Sequence, residues 1–522
     1  MTRQDVKALS PSKSADQGPD VSKRTFLAAA AASVVGLGAS RLASAADDPA
    51  RWDLIVVGGG NSGLPAAIFA ARRNAKVLVI EAAGQVGGTL FLSSGQMSAA
   101  GTKLQKSKGI VDTPQLHYDD IMRISKGTAN PGLVRIAVDG NGETFDWLMD
   151  NGLKVGAEHP ILGTTHEPYS VERYAWSTEK GGLAILEILE RNLQPEIDKG
   201  NVKVLTSTEA VDLIMEGGAV VGVVSKGEDG TLTRHRGTNI LLTCGGYVSN
   251  PAMFEKYEGV RKYNDSSYPY SQGIGVKLAE AAGGFVHGGN LHAPLFGGIL
   301  QTRDYPSPMM QIFRPWPATR PPWEIWVNIE GQRFVSEDVL SHDAVEEGIL
   351  KQPGNRAWVV FDETAIKNAP QILSTRQYTR EDYLGMFNEH DFFFKDDTIE
   401  GLAKRSGVDP KGLSETIAAY NKGQASGKDQ FGRKHMPAPI AQGPFYAILT
   451  HSWSFLSFGG IAVDDELRVI RQDKTPIKGL YAAGEVIGAG QTMGHSHCGG
   501  MCVTPALTFG RLLGSKMLTF DT

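Results

Sequence analysis

A chain of 522 residues, 41% of them hydrophobic, is longer than one ordinary domain and can bury a large core, so two or three domains are expected. A formal net charge of −5 excludes the basic stripe that nucleic-acid binding requires, and three cysteines exclude a disulfide framework. No heptad run, solenoid-length repeat or low-complexity tract is present, which leaves a globular enzyme or carrier.

In chain order, Ser22-Lys23-Arg24-Thr25-Phe26-Leu27 is followed by an Ala-rich apolar stretch to about Ser40 and by the small-x-small run Ala43-Ser44-Ala45. Residues 1–45 are expected to be an export signal. The basic pair ahead of Phe26-Leu27 resembles the Lys-Arg form of the twin-arginine signal, which exports proteins folded around a cofactor and implies a periplasmic protein. The apolar stretch is shorter than the roughly 20 residues that cross a bilayer, so no membrane span is expected once the signal is removed.

Asp53-Leu54-Ile55-Val56-Val57 then predicts a buried parallel strand, Gly58-x-Gly60-x-x-Gly63 a tight turn, and Ala66 to Arg73 a helix. Gly58 permits the turn, Gly60 admits a pyrophosphate close to the backbone, and Gly63 lets helix pack on strand. The helix N-terminus offers its unpaired N–H groups to the anion. A second apolar run, Lys76-Val77-Leu78-Val79-Ile80, ends at Glu81, 23 residues after Gly58, where a carboxylate can accept ribose hydroxyls. Around Gly488-Ala489-Gly490 the third glycine, Gly494, comes one residue late, so one tightly held dinucleotide is expected rather than two exchanging ones.

Four further motifs follow the fingerprint. They are Gly87-Gly88-Thr89 with Ser94-Gly95-Gln96-Met97, the strand Asn239 to Tyr247 through Cys244-Gly245-Gly246, Asn328-Ile329-Glu330-Gly331-Gln332-Arg333-Phe334, and Gly479-Leu480-Tyr481-Ala482-Ala483-Gly484-Glu485. In this order they resemble the fumarate reductase / 3-ketosteroid dehydrogenase flavoprotein family over essentially the whole mature chain. The resemblance implies FAD and an α/β fold: a Rossmann-like cofactor domain split into 46–262 and 437–522, with an inserted α+β substrate or capping domain at 263–436. It also implies cofactor contacts from Gly58, Gly60, Ser62, Gly63, Glu81, Ala82, Gly88, Thr89, Ser94, Gly95, Ala210, Gly245, Glu485, Thr504, Pro505, Ala506 and Leu507.

Near the C-terminus, Thr504-Pro505 ahead of Ala506 to Leu513 predicts an N-cap, a proline at the first helical position, and an amphipathic helix. In the resembled family this helix start faces the flavin pyrimidine ring. His495, His497, Cys498 and Cys502 could supply four zinc ligands, but their spacing matches no common finger, and no metal is expected. Cys498-x-x-x-Cys502 lacks the spacing of a redox dithiol.

The family's fumarate reductases clamp carboxylates with arginines, one of which would fall at Ser341 and another at His497. A dicarboxylate clamp is therefore missing. The steroid dehydrogenase branch carries Gly-Pro-Ala-Met-Thr-Phe-Gly, which resembles Thr504 to Gly510 and implies a carbonyl-binding N–H from Gly500. Its two catalytic tyrosines fall on Ser341 and Ser496. Each of those serines has a histidine beside it, so His342 and His497 are expected as acid/base and carbonyl polariser. Tyr268 and Tyr270 stand in reserve for the proton step.

Pro315-Trp316-Pro317 and Pro321-Pro322-Trp323-Glu324-Ile325-Trp326 can line a flat apolar pocket or belong to the core. The expectation is a dehydrogenase or reductase of the carbon–carbon bond beside a carbonyl in a neutral, cyclic small molecule. Without Cys-x-x-Cys-His no haem is built in, so electrons pass through a separate quinone, cytochrome or oxygen. An enoate reductase with a rearranged carboxylate site and a flavin-bearing electron carrier are the alternatives.

Overall fold

The first sheet takes its strands from both ends of the chain. The computed structural model describes residues 45–163, 166–313, 321–369 and 378–520, so the export segment expected over 1–45 lies outside the described residues apart from Ala45. Strand β1 (Ala46–Val57) ends in the apolar run Leu54 to Val57 and leads through the glycine turn into helix α1 (Gly63–Ala71). The helix opens at the third glycine, three residues ahead of the expected Ala66, and Arg72 closes it. Strand β2 (Val77–Ile80) is buried at every position, as a parallel strand covered on both faces must be. It pairs in parallel with β1, Leu54 opposite Val77 and Val57 opposite Ile80.

Helix α2 (Pro131–Asp150), β3 (Val202–Leu205), β4 (Thr208–Glu216), β5 (Ala219–Gly227) and β6 (Leu232–Leu242) follow. After β6 the chain leaves this sheet. It builds β7 (Leu295–Leu300), β8 (Met309–Ile312), β9 (Ile325–Val327), helix α3 (His342–Leu350), β10 (Arg356–Asp362), β11 (Phe393–Asp396) and β12 (Phe445–Trp453). It returns with β13 (Arg468–Ile470) and β14 (Pro476–Ala482), and helix α4 (Val503–Leu512) comes last.

The first sheet has the order β13-β14-β6-β1-β2-β3, with β5 pairing both β4 and β6. Its β14–β6, β1–β2 and β2–β3 pairs are parallel. The second sheet, β8-β7-β12-β10-β9 with β11 beside β12, is antiparallel in each of these pairs. Each sheet has its own hydrophobic cluster, one around Leu54 to Val57, Ile240 to Leu242 and Phe509, the other around Trp326, Val359 to Phe361 and Ile448. This is the expected fold class: a parallel dinucleotide-binding sheet with a separate antiparallel sheet inserted in its sequence.

Packing settles the reading of the tryptophan-rich run. Trp326 is 1% exposed and its ring lies 4.9 Å from Phe296, so it is core, and Trp323 packs against the same cluster; Trp316 lies outside the described residues. Arg333 of the Asn328–Phe334 motif is also structural, since its guanidinium is buried between the carboxylates of Glu337 and Asp429.

Candidate active site

A cavity of about 1000 Å3, at the upper end of the range for small-molecule sites, opens beyond the carboxyl ends of the parallel strands. Its wall begins with the residues that follow those strands: Gly58 after β1, Glu81 after β2, Thr243 to Gly245 after β6, and Gly484 and Glu485 after β14. Ligands of open parallel sheets bind at this edge because the helices that follow the strands start there. No side chain caps the N-terminus of α1; the Leu64 N–H turns back to Gly60 O at 3.0 Å and Pro65 has none, which leaves the Gly63 N–H to a ligand.

Backbone approach governs this end. A Cβ at Gly63 would stand 2.1 Å from the Gly58 carbonyl oxygen, so α1 can press onto the turn only with glycine there. A Cβ at Gly60 would instead meet nothing nearer than the Gly88 Cα at 3.9 Å, and both glycines line the cavity. Glu81, 6% exposed, accepts the N–H of Gly59 at 2.7 Å and of Ala83 at 2.8 Å. Burial nevertheless pushes its carboxyl up, and each oxygen keeps a second lone pair for a hydroxyl. Glu485 commits Oε1 to the Ser457 N–H and hydroxyl, both at 2.9 Å.

Asn61, which the sequence reading did not single out, donates from Nδ2 to the Val503 carbonyl at 3.0 Å, while its buried Oδ1 has no partner among the described residues. An orphaned acceptor, an uncapped helix start and a glycine-lined wall together fit a dinucleotide with donor groups and a pyrophosphate.

Helix α4 starts earlier than expected. Its N-cap is Cys502 rather than Thr504, because the Thr504 N–H already bonds to Gly500 O within the first turn. The Thr504 hydroxyl accepts the Ser98 N–H at 2.9 Å, and Pro505 is the third helical residue. The Ser62 hydroxyl donates to the Ala506 carbonyl, tying the starts of α1 and α4 together.

Of the expected cofactor contacts, Gly58, Gly60, Ser62, Glu81, Ala82, Gly88, Thr89, Ser94, Ala210, Gly245, Glu485, Pro505 and Ala506 line the cavity. Gly63, Gly95, Thr504 and Leu507 do not. Gly63 and Gly95 are packed against backbone, where a Cβ at Gly95 would meet Gly181 at 2.7 Å, and Leu507 is core.

At the other end the wall is made of side chains from distant segments. His342 opens α3, Glu346 lies one turn later, His497 comes from the loop before α4, and His166 comes from the segment ahead of Tyr169. The His166 ring lies 4.9 Å from His497 and 5.6 Å from His342, and its Nε2 is 3.2 Å from Glu346 Oε1. His497 Nε2 donates to the Ala293 carbonyl at 3.0 Å, so in the neutral ring Nδ1 carries the lone pair. Burial holds His342 and His497 down to about 4 and pushes Glu346 up to about 8.

Gly500, also on the wall, has φ +80°, and a Cβ there would stand 2.3 Å from Ser98 N, so only glycine lets this backbone border the cavity. The neighbouring Gly499 carbonyl accepts the Tyr169 hydroxyl.

Tyr270 lines the cavity beside Tyr268, but on its Glu81 side: burial first, and then the Glu81 charge, push Tyr268 up to about 12. Ser341 does not line the cavity; it is the N-cap of α3. The four-ligand reading of His495, His497, Cys498 and Cys502 fails among the described residues. Cys498 and Cys502 turn toward Met493, and burial pushes the Cys502 thiol up to about 12. The group whose ligand atoms do converge is His166, His342 and Glu346, within 4.8 Å of one another. Sequence reasoning missed His166 and Glu346, although the four-residue step from His342 to Glu346 signals a shared helix face.

Residues 53–501 match the family model described as FAD binding domain. The chain belongs to this family. It is an FAD-dependent oxidoreductase, which requires a small-molecule substrate and a redox partner. It is 30% identical to a fumarate reductase (cytochrome) of Shewanella frigidimarina, over 92% of this chain and 79% of that protein. It is also 30% identical to a vinyl phenol reductase of Lactiplantibacillus plantarum (strain ATCC BAA-793 / NCIMB 8826 / WCFS1), over 89% and 95%. In fold it is similar to the 3-ketosteroid delta1-dehydrogenase of Sterolibacterium denitrificans, with a TM-score of 0.68 and 20% identity, over 90% of this chain and 99% of that one. Among the described residues no helix is long and apolar enough to cross a membrane.

Proposed function

We propose that this protein transfers hydrogen across a carbon–carbon bond beside a carbonyl in a neutral, ring-bearing substrate. The observation that carries the reading is the composition of the wall: among the described lining residues Lys277 is the one lysine or arginine, and His166, His342, His497 and Glu346 form the polar pole. A dicarboxylate finds no guanidinium fork there, whereas a carbonyl needs donors rather than counter-charges. Phe296, Phe313, Trp453 and Phe455 supply apolar and aromatic surface for a ring.

When bound along the Gly58–Gly63 turn, FAD supplies hydride exchange at its N5. The chain's own groups do the rest. The Gly500 N–H holds the carbonyl oxygen, on which negative charge gathers as the adjacent C–H is broken. His497, its tautomer fixed by Ala293, uses Nδ1 to take or return the proton on that carbon, and the imidazole of His342 polarises the carbonyl.

The basic, apolar and small-residue segments of 1–45 support export by the twin-arginine route to the periplasm, with a quinone, cytochrome or oxygen as the electron partner. Anaerobic mixing of the purified holoprotein with saturated cyclic ketones is expected to bleach the oxidised flavin band. A flavin bleached by succinate and by none of the ketones would reject the reading.

A further inference from the structure

We propose that His166, His342 and Glu346 bind one divalent first-row transition cation, with an open coordination position toward the cavity. The three ligand atoms lie within 4.8 Å of one another and all three residues line the cavity. His342 and Glu346 stand one helical turn apart on α3, so a single rigid element sets two of the three ligands, and His166 closes the group from a separate segment. Two imidazoles and one carboxylate are the donor set of open-sited zinc and non-haem iron centres, in which the remaining positions are left for water or substrate.

Ligand bonds of about 2.0–2.2 Å around a tetrahedral ion hold the donors roughly 3.3–3.6 Å apart. His166 Nε2 and Glu346 Oε1, at 3.2 Å, already stand close to that spacing, and His342 has the remaining distance to close.

A second observation points to a missing positive charge. Asp343, next to His342 and 5% exposed, has neither carboxylate oxygen hydrogen-bonded among the described residues, and Glu346, 4% exposed, has His166 as its ion-pair partner and no lysine or arginine. Two carboxylates buried side by side on α3 with no lysine or arginine paired to either among the described residues, Lys126 acting on Asp343 only from a distance, are costly unless neutralised by protons or by a metal. A divalent ion on the three ligands answers Glu346 directly and Asp343 through the field, its two charges balancing the two carboxylates while its open position accepts a neutral oxygen ligand. With the ion bound, the cation polarises the substrate carbonyl in place of its ligand His342; that role rests on the function proposed above, and the binding does not.

The test uses the FAD-loaded protein without substrate. After chelation and dialysis, titration with Zn2+ alone, followed by calorimetry and elemental analysis, is expected to give one equivalent per chain. Glu346→Gln and His342→Ala are expected to weaken binding by more than the roughly 10–100-fold that outer-shell changes cost, with flavin content unchanged. If His342→Ala fails to fold, Glu346→Gln and the Co2+ spectrum of the unmutated protein decide: a nitrogen/oxygen site shows ligand-field bands without a thiolate charge-transfer band.

Absence of stoichiometric Zn2+ binding, binding undiminished in Glu346→Gln, or a thiolate band placing the ion on Cys498 or Cys502 would each overturn the inference. Flavin bleaching by ketones in the presence of chelator would leave the proposed reaction standing while removing the cation from it, so the two readings fail separately.

Discussion

The two ends of the cavity are built on opposite principles. At the dinucleotide end the wall is made of backbone: Gly60 and Gly88 open it, the start of α1 has no side-chain cap, and Glu81 fastens the loop that leads into it. At the proposed substrate end the wall is made of side chains, with His166, His342, Glu346 and His497 supplied by three segments far apart in sequence. A backbone site depends on local conformation and tolerates little change of residue, whereas a side-chain site depends on tertiary packing and can be rewritten. This contrast explains how a chain keeps the FAD-binding fold while its proposed substrate pole carries no guanidinium among the described residues.

If the ends are separable, damage to one leaves the other measurable. The largest effect is expected from Arg173→Met. This guanidinium is buried between Asp112 and Asp120 and lies over the Tyr169 ring, behind the substrate end. Asp120 keeps Arg123, but Asp112 is left buried without a cationic partner, which costs about 3–5 kcal/mol, read as a fall in chemical-denaturation stability. His497→Ala is next: flavin reduction by substrate is expected to slow by roughly 10²–10⁴-fold with flavin content and thermal midpoint unchanged. A parallel loss of flavin would mean that the two ends are not independent.

Gly63→Ala attacks the other end. A Cβ placed 2.1 Å from the Gly58 carbonyl forces α1 off the turn, for about 1–3 kcal/mol of stability and a lowered flavin-to-protein absorbance ratio.

Much of this was legible in the sequence. The Gly58–Gly63 turn, the strand run ending at Glu81 and the approach to Glu485 are local patterns, and all three stand at the cavity wall. What stayed hidden depends on distance or on competition between partners. His166 sits in a segment with no periodicity, and only the packing of α3 brings it to Glu346. Thr504 looked like a cap because it precedes a proline, but its hydroxyl serves Ser98 and the helix starts from Cys502. The tryptophan-rich run read equally as a ring-binding wall or as core, and only packing shows that Trp326 fills the core of the second sheet. His497 was legible because it stands beside the glycines that lead into α4, though the carbonyl of Ala293 that sets its tautomer was not.

The smallest effect is expected where the two cores meet. Lys262, 3% exposed, donates to Asn264 and to the Ser454 carbonyl, and burial holds its ammonium down to about 7 against an ordinary 10.5. Between those values the unfolded chain binds the proton that the folded one has released, so this group makes stability rise with pH from about 7 to 10.5. Lys262→Met is expected to flatten that rise in thermal midpoint; an unchanged slope would show that the lysine stays charged when folded.

The central claim is that the substrate end serves a carbonyl rather than a pair of carboxylates. Its most direct test is the anaerobic reoxidation of photoreduced holoprotein by a cyclic enone and by fumarate at equal concentration, followed at the oxidised flavin band. The account predicts rapid return of the band with the enone and negligible return with fumarate. Faster reoxidation by fumarate would contradict it.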